Sequence, residues 1–528
     1  MIDRRGVLRL SLAALAAPAA ARAQGEGGSG GAAGANPAAS GSAEAAPTAF
    51  PLADPTPFSP DMATNMARAL AQAPFKPVAA GLPDPFKSLS YDQYVGVHLQ
   101  PGAALWTKDN VGFAIEPLHR GFIFSTPMRI DVVEDGVARR LVYDSRLFDF
   151  GKPGPTGIGD IGFSGFRVLA PLEDGGFFEL ATFQGASFFR AVGRGLGPGP
   201  MARALAIKTA DPAGEEFPFF RQVWIVRPTL ADAALTIYAI IDSESVAGAY
   251  RFTLRPGETT LIDTESTLFA RAALDHYGVA AMSATHVTGA IDRGRSDDLR
   301  PQVAEADGLQ MLTGGGEWIW RPVSNPSTLQ VSSFVDDNPR GFGLLQRDRD
   351  FSHYQDDDQH WENRPSLWIE PIGEWGAGAV QLVEIPSDAE VNDNIISYWR
   401  PKQTLPAKGE IAFAYRQFWR RSPPERPPLA AVSTSRSGRG SNGRRRRFVV
   451  EFSGGALASI RSKDDIAVKL SAAPGSIASQ RTFFSPGQGV FRVLFELDPG
   501  GDVYSELRLV LEAQGKPISE TWIYRWTA

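Results

Sequence analysis

Short apolar or alternating runs, each stopped by a Gly, Pro or Asp cluster, constrain this chain more than any other feature. Between about residues 90 and 395 they read FIFSTPMRIDVV, RRLVYDSRLFDF, GFRVLAPL, FFRQVWIVRP, LTIYAIID, AYRFTLRPGETTLIDTESTLFAR and AVQLVEIP. Period-two alternation places one set of side chains on one face of a sheet, and β-branched and aromatic residues suit that surface. So many strands predict an all-β fold built on a large antiparallel sandwich rather than βαβ units. The 54 Gly and 40 Pro agree, because they serve turns better than helices. MATNMARALAQAPF, from Met62 to Phe75, has helical spacing and predicts one short helix.

At 528 residues the chain exceeds one ordinary core, so two domains are expected. The large sandwich is expected over 49–390. A second block, 396–528, contains IAFAYRQFWRR, RRFVVEFS, VFRVLFELDP, SELRLVLEAQG and SETWIYRW. Its rhythm, roughly seven strands in about 130 residues, is that of an immunoglobulin-like sandwich. Arg444 to Arg447 read as a locally basic, solvated hairpin loop.

The first 23 residues read as an export signal: Arg4-Arg5, a short apolar core, then the small-x-small sequence Ala21-Arg22-Ala23. The arginine pair has the form of a twin-arginine leader. Residues 24–48 are rich in Gly, Ala and Ser and read as a flexible leader. No apolar run after the N-terminus reaches the length of a membrane span. The absence of Cys removes thiol nucleophiles and thiolate metal sites. Without the signal, 49 basic residues face 58 acidic ones, a balance that argues against a nucleic-acid partner.

Phosphate-loop, dinucleotide, zinc-protease and nucleophile-elbow patterns are missing from suitable contexts. Six His leave His353, Asp356 and His360 as the best metal set, and no metal is expected there. Carboxylates and rings are abundant instead, above all in FSHYQDDDQHWENRPSLWIEP, residues 351–371. Glycoside cleavage needs one carboxyl with a raised pKa and one that stays ionised. Crowding among Asp356, Asp357 and Asp358 would raise one of them, and Trp361, Trp368 and Trp375 offer flat faces for sugars. A solvated aspartate turn beside core tryptophans is the competing account of the same residues.

These residues resemble the periplasmic osmoregulated glucan biosynthesis proteins, the OpgG/OpgD (MdoG) family. The likeness runs through LSYDQYVGV at 89, GDIGFSGFRVLAPL at 159, FQGASFFRAVG at 183 and GEEFPFFRQVWIVRP at 214. It continues through RPQVAEADGLQM at 300, GEWIWRPVSNP at 316, NPRGFGLLQRDRDFSHYQD at 338 and RPSLWIEPIGEWGAGAVQLVEIPSDAEVNDNIISYWRP at 364, then SETWIYRW at 519. The twin-arginine leader looks more like the D branch.

The resemblance implies a galactose-mutarotase-like N-terminal β-sandwich and an immunoglobulin-like C-terminal domain. It also implies a periplasmic role with β-1,2-linked glucan as substrate or product and an inner-membrane glucan synthase as a possible partner. Some relatives are similar to inverting endo-β-1,2-glucanases, and others transglycosylate. The implied general acid is Asp356, with Asp263 as the favoured base and Asp298 and Asp307 as substitutes. Tyr354, Trp361, Arg364, Trp368 and Asp307 are the expected substrate contacts, and no cofactor is expected. Two stretches depart from the family pattern, Ser283-Ala-Thr285-His286 and Ala304-Glu305-Ala306-Asp307. The alternative is a protein that binds or scaffolds glucan without catalysis.

Overall fold

A computed structural model describes residues 49–528 apart from 85, 152–156, 174, 230, 294–296 and 425–426. The export signal and the flexible leader, residues 1–48, lie outside the described residues. The predicted helix forms as α1, Asp61–Gln72, and buries Ala63 and Ala67. It ends at Ala73, whose extended backbone suits a residue preceding Pro74.

Apart from a second, short helix, Tyr91–Val95, and a few 3-10 turns, the remaining regular structure is strand. One long sheet runs in the order 56–57, 137–140, 129–134, 219–226, 235–242, 246–255, 260–270, 410–420, 366–372, 341–345, 308–312, 318–322, 521–527, 504–513, 467–473. A second sheet runs 330–337, 377–384, 395–401, 277–284, 201–203, 188–191, 177–184, 165–171, 114–118. The two sheets pack face to face: Phe183 and Phe189 of the second meet Phe252 of the first edge-on, with ring centroids 5.4 and 5.2 Å apart. Ile237, Ile262, Phe342 and Trp399 complete that core. Alternation is explicit in Thr260–Ala270, where Ile262, Thr264 and Ser266 are buried while Asp263 and Glu265 face outward.

A four-stranded sheet, 431–439, 446–453, 490–498 and 476–485, covers the last three strands of the long sheet. Those seven strands form the C-terminal sandwich. It is joined to the large one by a parallel pair, Ile319 with Thr521 and Trp320 with Trp522. At the joint, buried Glu520 accepts from Arg347, Gln310 and the backbone N–H of Val432.

Strand pairing runs across the expected boundary between 390 and 396. Ile395–Pro401 lies inside the second sheet, between 277–284 and 377–384. Glu410–Arg420, assigned from its sequence to the second domain, lies between 260–270 and 366–372 of the first. Alternation identifies a strand but carries no information about its neighbours. Within the basic segment, Arg445 and Arg447 are paired with Asp498 and Glu496, and Arg446–Ser453 is a strand rather than a loop.

Candidate functional site

Four connections meet at one end of the large sandwich. They link 188–191 to 201–203, 277–284 to 308–312, 341–345 to 366–372, and 377–384 to 395–401. Register brings their ends together, because Met201 pairs Ser283, Ala284 pairs Ile395 and Gly308 pairs Leu345.

Asp356 is the buried member of the aspartate trio, and Asp357 and Asp358 are exposed. Its Oδ1 accepts from the backbone N–H groups of Asp358 (3.1 Å) and Gln359 (2.9 Å), which caps a tight turn. Its Oδ2 accepts from Trp361 Nε1 at 2.9 Å and from Arg300 Nη1 at 2.6 Å. Gln355 and His360 on either side adopt left-handed backbone, φ 52° and 46°, so the chain is strained into this turn. The turn and the candidate acid are therefore one feature.

Those donors overturn the expectation of a crowded, raised carboxyl. Burial pushes Asp356 up, but the Gln359 N–H, Arg300, Trp361 and the Asp358 N–H outweigh it, and its pKa lies below the usual carboxylate value.

Contacts around Asp356 close into a ring. Arg300 also donates to Asp298 (2.7 Å) and Glu390 (2.6 Å). The Glu390 carbonyl faces Thr285 Oγ1 at 3.1 Å, and the Thr285 N–H donates to Glu305. Arg364 then joins Glu305 (3.0 Å) to Gln359 (2.8 Å), beside Asp356 again. The ring opens to solvent at Arg300, Asp298 and Glu390, whose side chains are 22, 24 and 34% exposed. The glycine-rich loop 193–200 closes the other side: Pro198 O accepts from Arg364 and Gly197 N–H donates to Asn363 O.

Of the expected substrate contacts, Trp361 and Arg364 belong to this wall, but neither presents a free face. Trp361 is buried beneath the Arg364 guanidinium, 4.6 Å from the ring centroid, and serves Asp356 through its N–H. Tyr354 is fully buried; its hydroxyl donates to Asp348 O and is bonded by Gln346. Half-buried Asp307 accepts from the backbone N–H groups of Arg347 and Asp348 and supports the same loop from below. Trp368 is a core residue, buried and stacked on Trp318 at 6.0 Å. The rings on the rim are instead Phe351 and His360, both exposed and 6.1 Å apart.

Asp263 stands outside the ring, on the outer face of its strand, with its carboxylate held by Arg255 and Arg416. Those two cations overcome burial and keep its pKa low. The histidines flanking the trio take different carboxylates, His353 with Asp348 (2.7 Å) and His360 with Glu362 (3.0 Å). Among the described residues no cluster of three His, Asp or Glu is arranged to hold a metal. Arg321 forms a buried pair with Glu384 (2.8 Å), whereas Glu317 pairs with Arg508 of the C-terminal sandwich. A cavity of about 820 Å3 beneath α1, lined by Met66, Leu70, Met128, Ile130, Phe163 and Gln222 among others, includes none of the ring residues.

Sequence reasoning misses Arg300, Glu390 and Asp393, and marks Glu305 only as part of a stretch that departs from the family pattern. Their only local signal is polar residue types in loops between apolar strands, and that signal is shared by most surface loops.

The family model described as "Periplasmic glucan biosynthesis protein, MdoG" matches residues 58–526. Glucans biosynthesis protein G of Vibrio cholerae serotype O1 is 42% identical over 476 residues, 89% of this chain and 87% of that protein. The protein of the same name from Shewanella baltica is also 42% identical over the same share of each chain. A solved polysaccharide lyase aligns at 8% identity over 63% of this chain and 39% of its own, with a TM-score of 0.15, too low to carry an argument. Covering the whole described sandwich pair and the ring around Asp356, the match shows that this chain belongs to the MdoG family of periplasmic glucan biosynthesis proteins.

Proposed function

We propose that this protein acts in the periplasm on β-1,2-linked glucan, as an inverting endo-glucanase or transglycosylase of osmoregulated glucan biosynthesis. Family membership supports the glucan and the compartment. An inner-membrane synthase would be the source of the chain it acts on. The observation that carries the chemistry is the Asp356 carboxyl, buried beside an indole and bridged to the open rim by one guanidinium.

Asp356 donates a proton to the glucosidic oxygen. At rest burial pushes its pKa up, while the Gln359 N–H, Arg300, Trp361 and the Asp358 N–H together hold it ionised. Sugar hydroxyls that turn Arg300 onto its other partners, Asp298 and Glu390, remove one of these donors and shift Asp356 toward its protonated form, from which it gives the proton. Asp298, on the other side of the same guanidinium and held ionised by it, is the carboxylate that activates water or an acceptor hydroxyl. An inverting pair works at roughly 6.5–9.5 Å, which leaves room for that nucleophile. Phe351 and His360 on the rim supply the ring faces for sugar.

The ionised resting state of Asp356 also favours a second reading, glucan binding without cleavage. Incubation with linear and cyclic β-1,2-glucans, followed by mass spectrometry and a reducing-end assay, separates the two. Shorter or rearranged chains support catalysis. Bound but unaltered glucan leaves the binding role alone.

A further inference from the structure

Two more carboxyls lie behind the ring. Glu305 and Asp393 are 7 and 8% exposed, as deep as Asp356 at 7%. Thr285 stands between them: its N–H donates to Glu305 Oε2 at 3.1 Å, and its hydroxyl lies 3.4 Å from Asp393 Oδ1. That hydroxyl also faces the carbonyls of Glu390 and Asn392 at 3.1 Å each, and a single proton serves one acceptor at a time. Ser283, donating to Asp393 Oδ2 at 2.6 Å, is then the one committed donor to this carboxyl.

Charge matching is unequal. Glu305 contacts Arg364, whereas among the described residues Asp393 contacts the hydroxyls of Ser283 and Thr285. The other charged groups facing the pair are Arg190, already bonded to Glu179 at 3.0 Å, and, beyond Thr285 and Arg364, Glu390, Arg300 and Asp356. Two buried carboxylates sharing one contacting arginine leave a negative charge without a cation beside it. Arg364 Nε is buried without an acceptor among the described residues, so the one guanidinium beside the pair is itself not fully satisfied.

We infer that Glu305 and Asp393 share one proton at neutral pH, and that this proton holds Arg364 and the 385–394 loop in the geometry that supports Asp356. Both are positioning residues acting through Arg364 and Thr285. Burial pushes both carboxyls up, Asp393 to about 7. When the proton leaves, a second buried charge pulls on Arg364 and repels Glu390, and the ring opens. The glucan readout below rests on the function proposed above; the proton itself does not.

The test uses the full-length protein, with Asp393→Asn and Glu305→Gln checked for folding by near-ultraviolet circular dichroism. Infrared difference spectra of the wild type between about pH 6 and 9 should show loss of a protonated carboxyl band, and Asp393→Asn should lack that loss. Affinity for linear β-1,2-glucan, measured by calorimetry, should fall about tenfold per pH unit above the titration in the wild type and stay flat in Asp393→Asn. A wild-type spectrum with no such band overturns the inference, as does an unchanged pH dependence in Asp393→Asn. Should that variant fail to fold, the wild-type spectrum and Glu305→Gln decide. Absence of glucan binding at every pH overturns the proposed function and leaves the infrared result to judge the pair.

Discussion

Arg300 places Nη1 2.6 Å from Asp356 Oδ2, and this contact opposes the effect of burial on the same carboxyl. Burial favours the protonated acid, and a guanidinium beside it, like the N–H donors already on the carboxylate, favours the ionised one. The chemistry proposed for the site therefore turns on whether that pairing holds.

Replacing Arg300 with Met should raise the pKa of Asp356, because burial then acts against fewer donors. Measured by carboxyl NMR titration, the shift is upward. In the activity profile, the pH at which Asp356 ceases to be protonated moves to higher values. No upward shift would show that Arg300 does not control this group.

Asp356→Asn should lower turnover of linear β-1,2-glucan by at least about 100-fold, the range for loss of a general acid. Glucan affinity should change far less, because Asn still accepts from the backbone N–H groups that shape the turn. Full activity in this variant would end the catalytic assignment.

Trp368→Ala separates a core tryptophan from a sugar platform. Removing a buried indole stacked on Trp318 should cost about 3–5 kcal/mol in chemical denaturation. Affinity of the protein that remains folded should be unchanged. A loss of glucan binding without a loss of stability would reverse the placement of this residue.

The joint between the sandwiches rests on Arg347 and Glu520, 2.7 Å apart, with Arg347 also 3.5 Å from the Trp320 ring centroid. Arg347→Met leaves a buried carboxylate short of its cation and should destabilise by about 3–5 kcal/mol. Calorimetry should then resolve the C-terminal sandwich melting ahead of the large one.

His119 gives stability a pH dependence of its own. Burial lowers its pKa to about 4 against a hydrogen bond with the Arg120 backbone that pushes it up, and its Nε2 lies 2.8 Å from the Tyr143 hydroxyl. A histidine that titrates lower folded than unfolded binds fewer protons in the native state, so stability is lost as pH falls from about 6.5 toward 4. His119→Gln should flatten that slope in urea titrations. Asp393 contributes the opposite sign: its raised pKa means stability falls as pH rises from about 4 to 7, because the unfolded carboxyl releases its proton first.

Local pattern was enough to establish the all-β class, the helix near residue 62, the strand rhythm of the C-terminal sandwich and the closeness of Asp356 and Trp361 in one turn. Each depends on contacts within a few residues: alternation along a strand, the proline after Ala73, and a turn in which Asp356 and Trp361 lie five positions apart. Strand order, and with it the place of Glu410–Arg420 in the large sandwich, was decided by pairing between distant segments, for which one strand carries no local mark. The same register carries Arg300 and Glu305 from one connection, and Glu390 and Asp393 from another, to the Asp356 turn. It leaves Asp263 on an outer face and Trp368 in the core. Burial and neighbouring charge, which decide whether Asp356 holds a proton, exist only after the chain has closed around it.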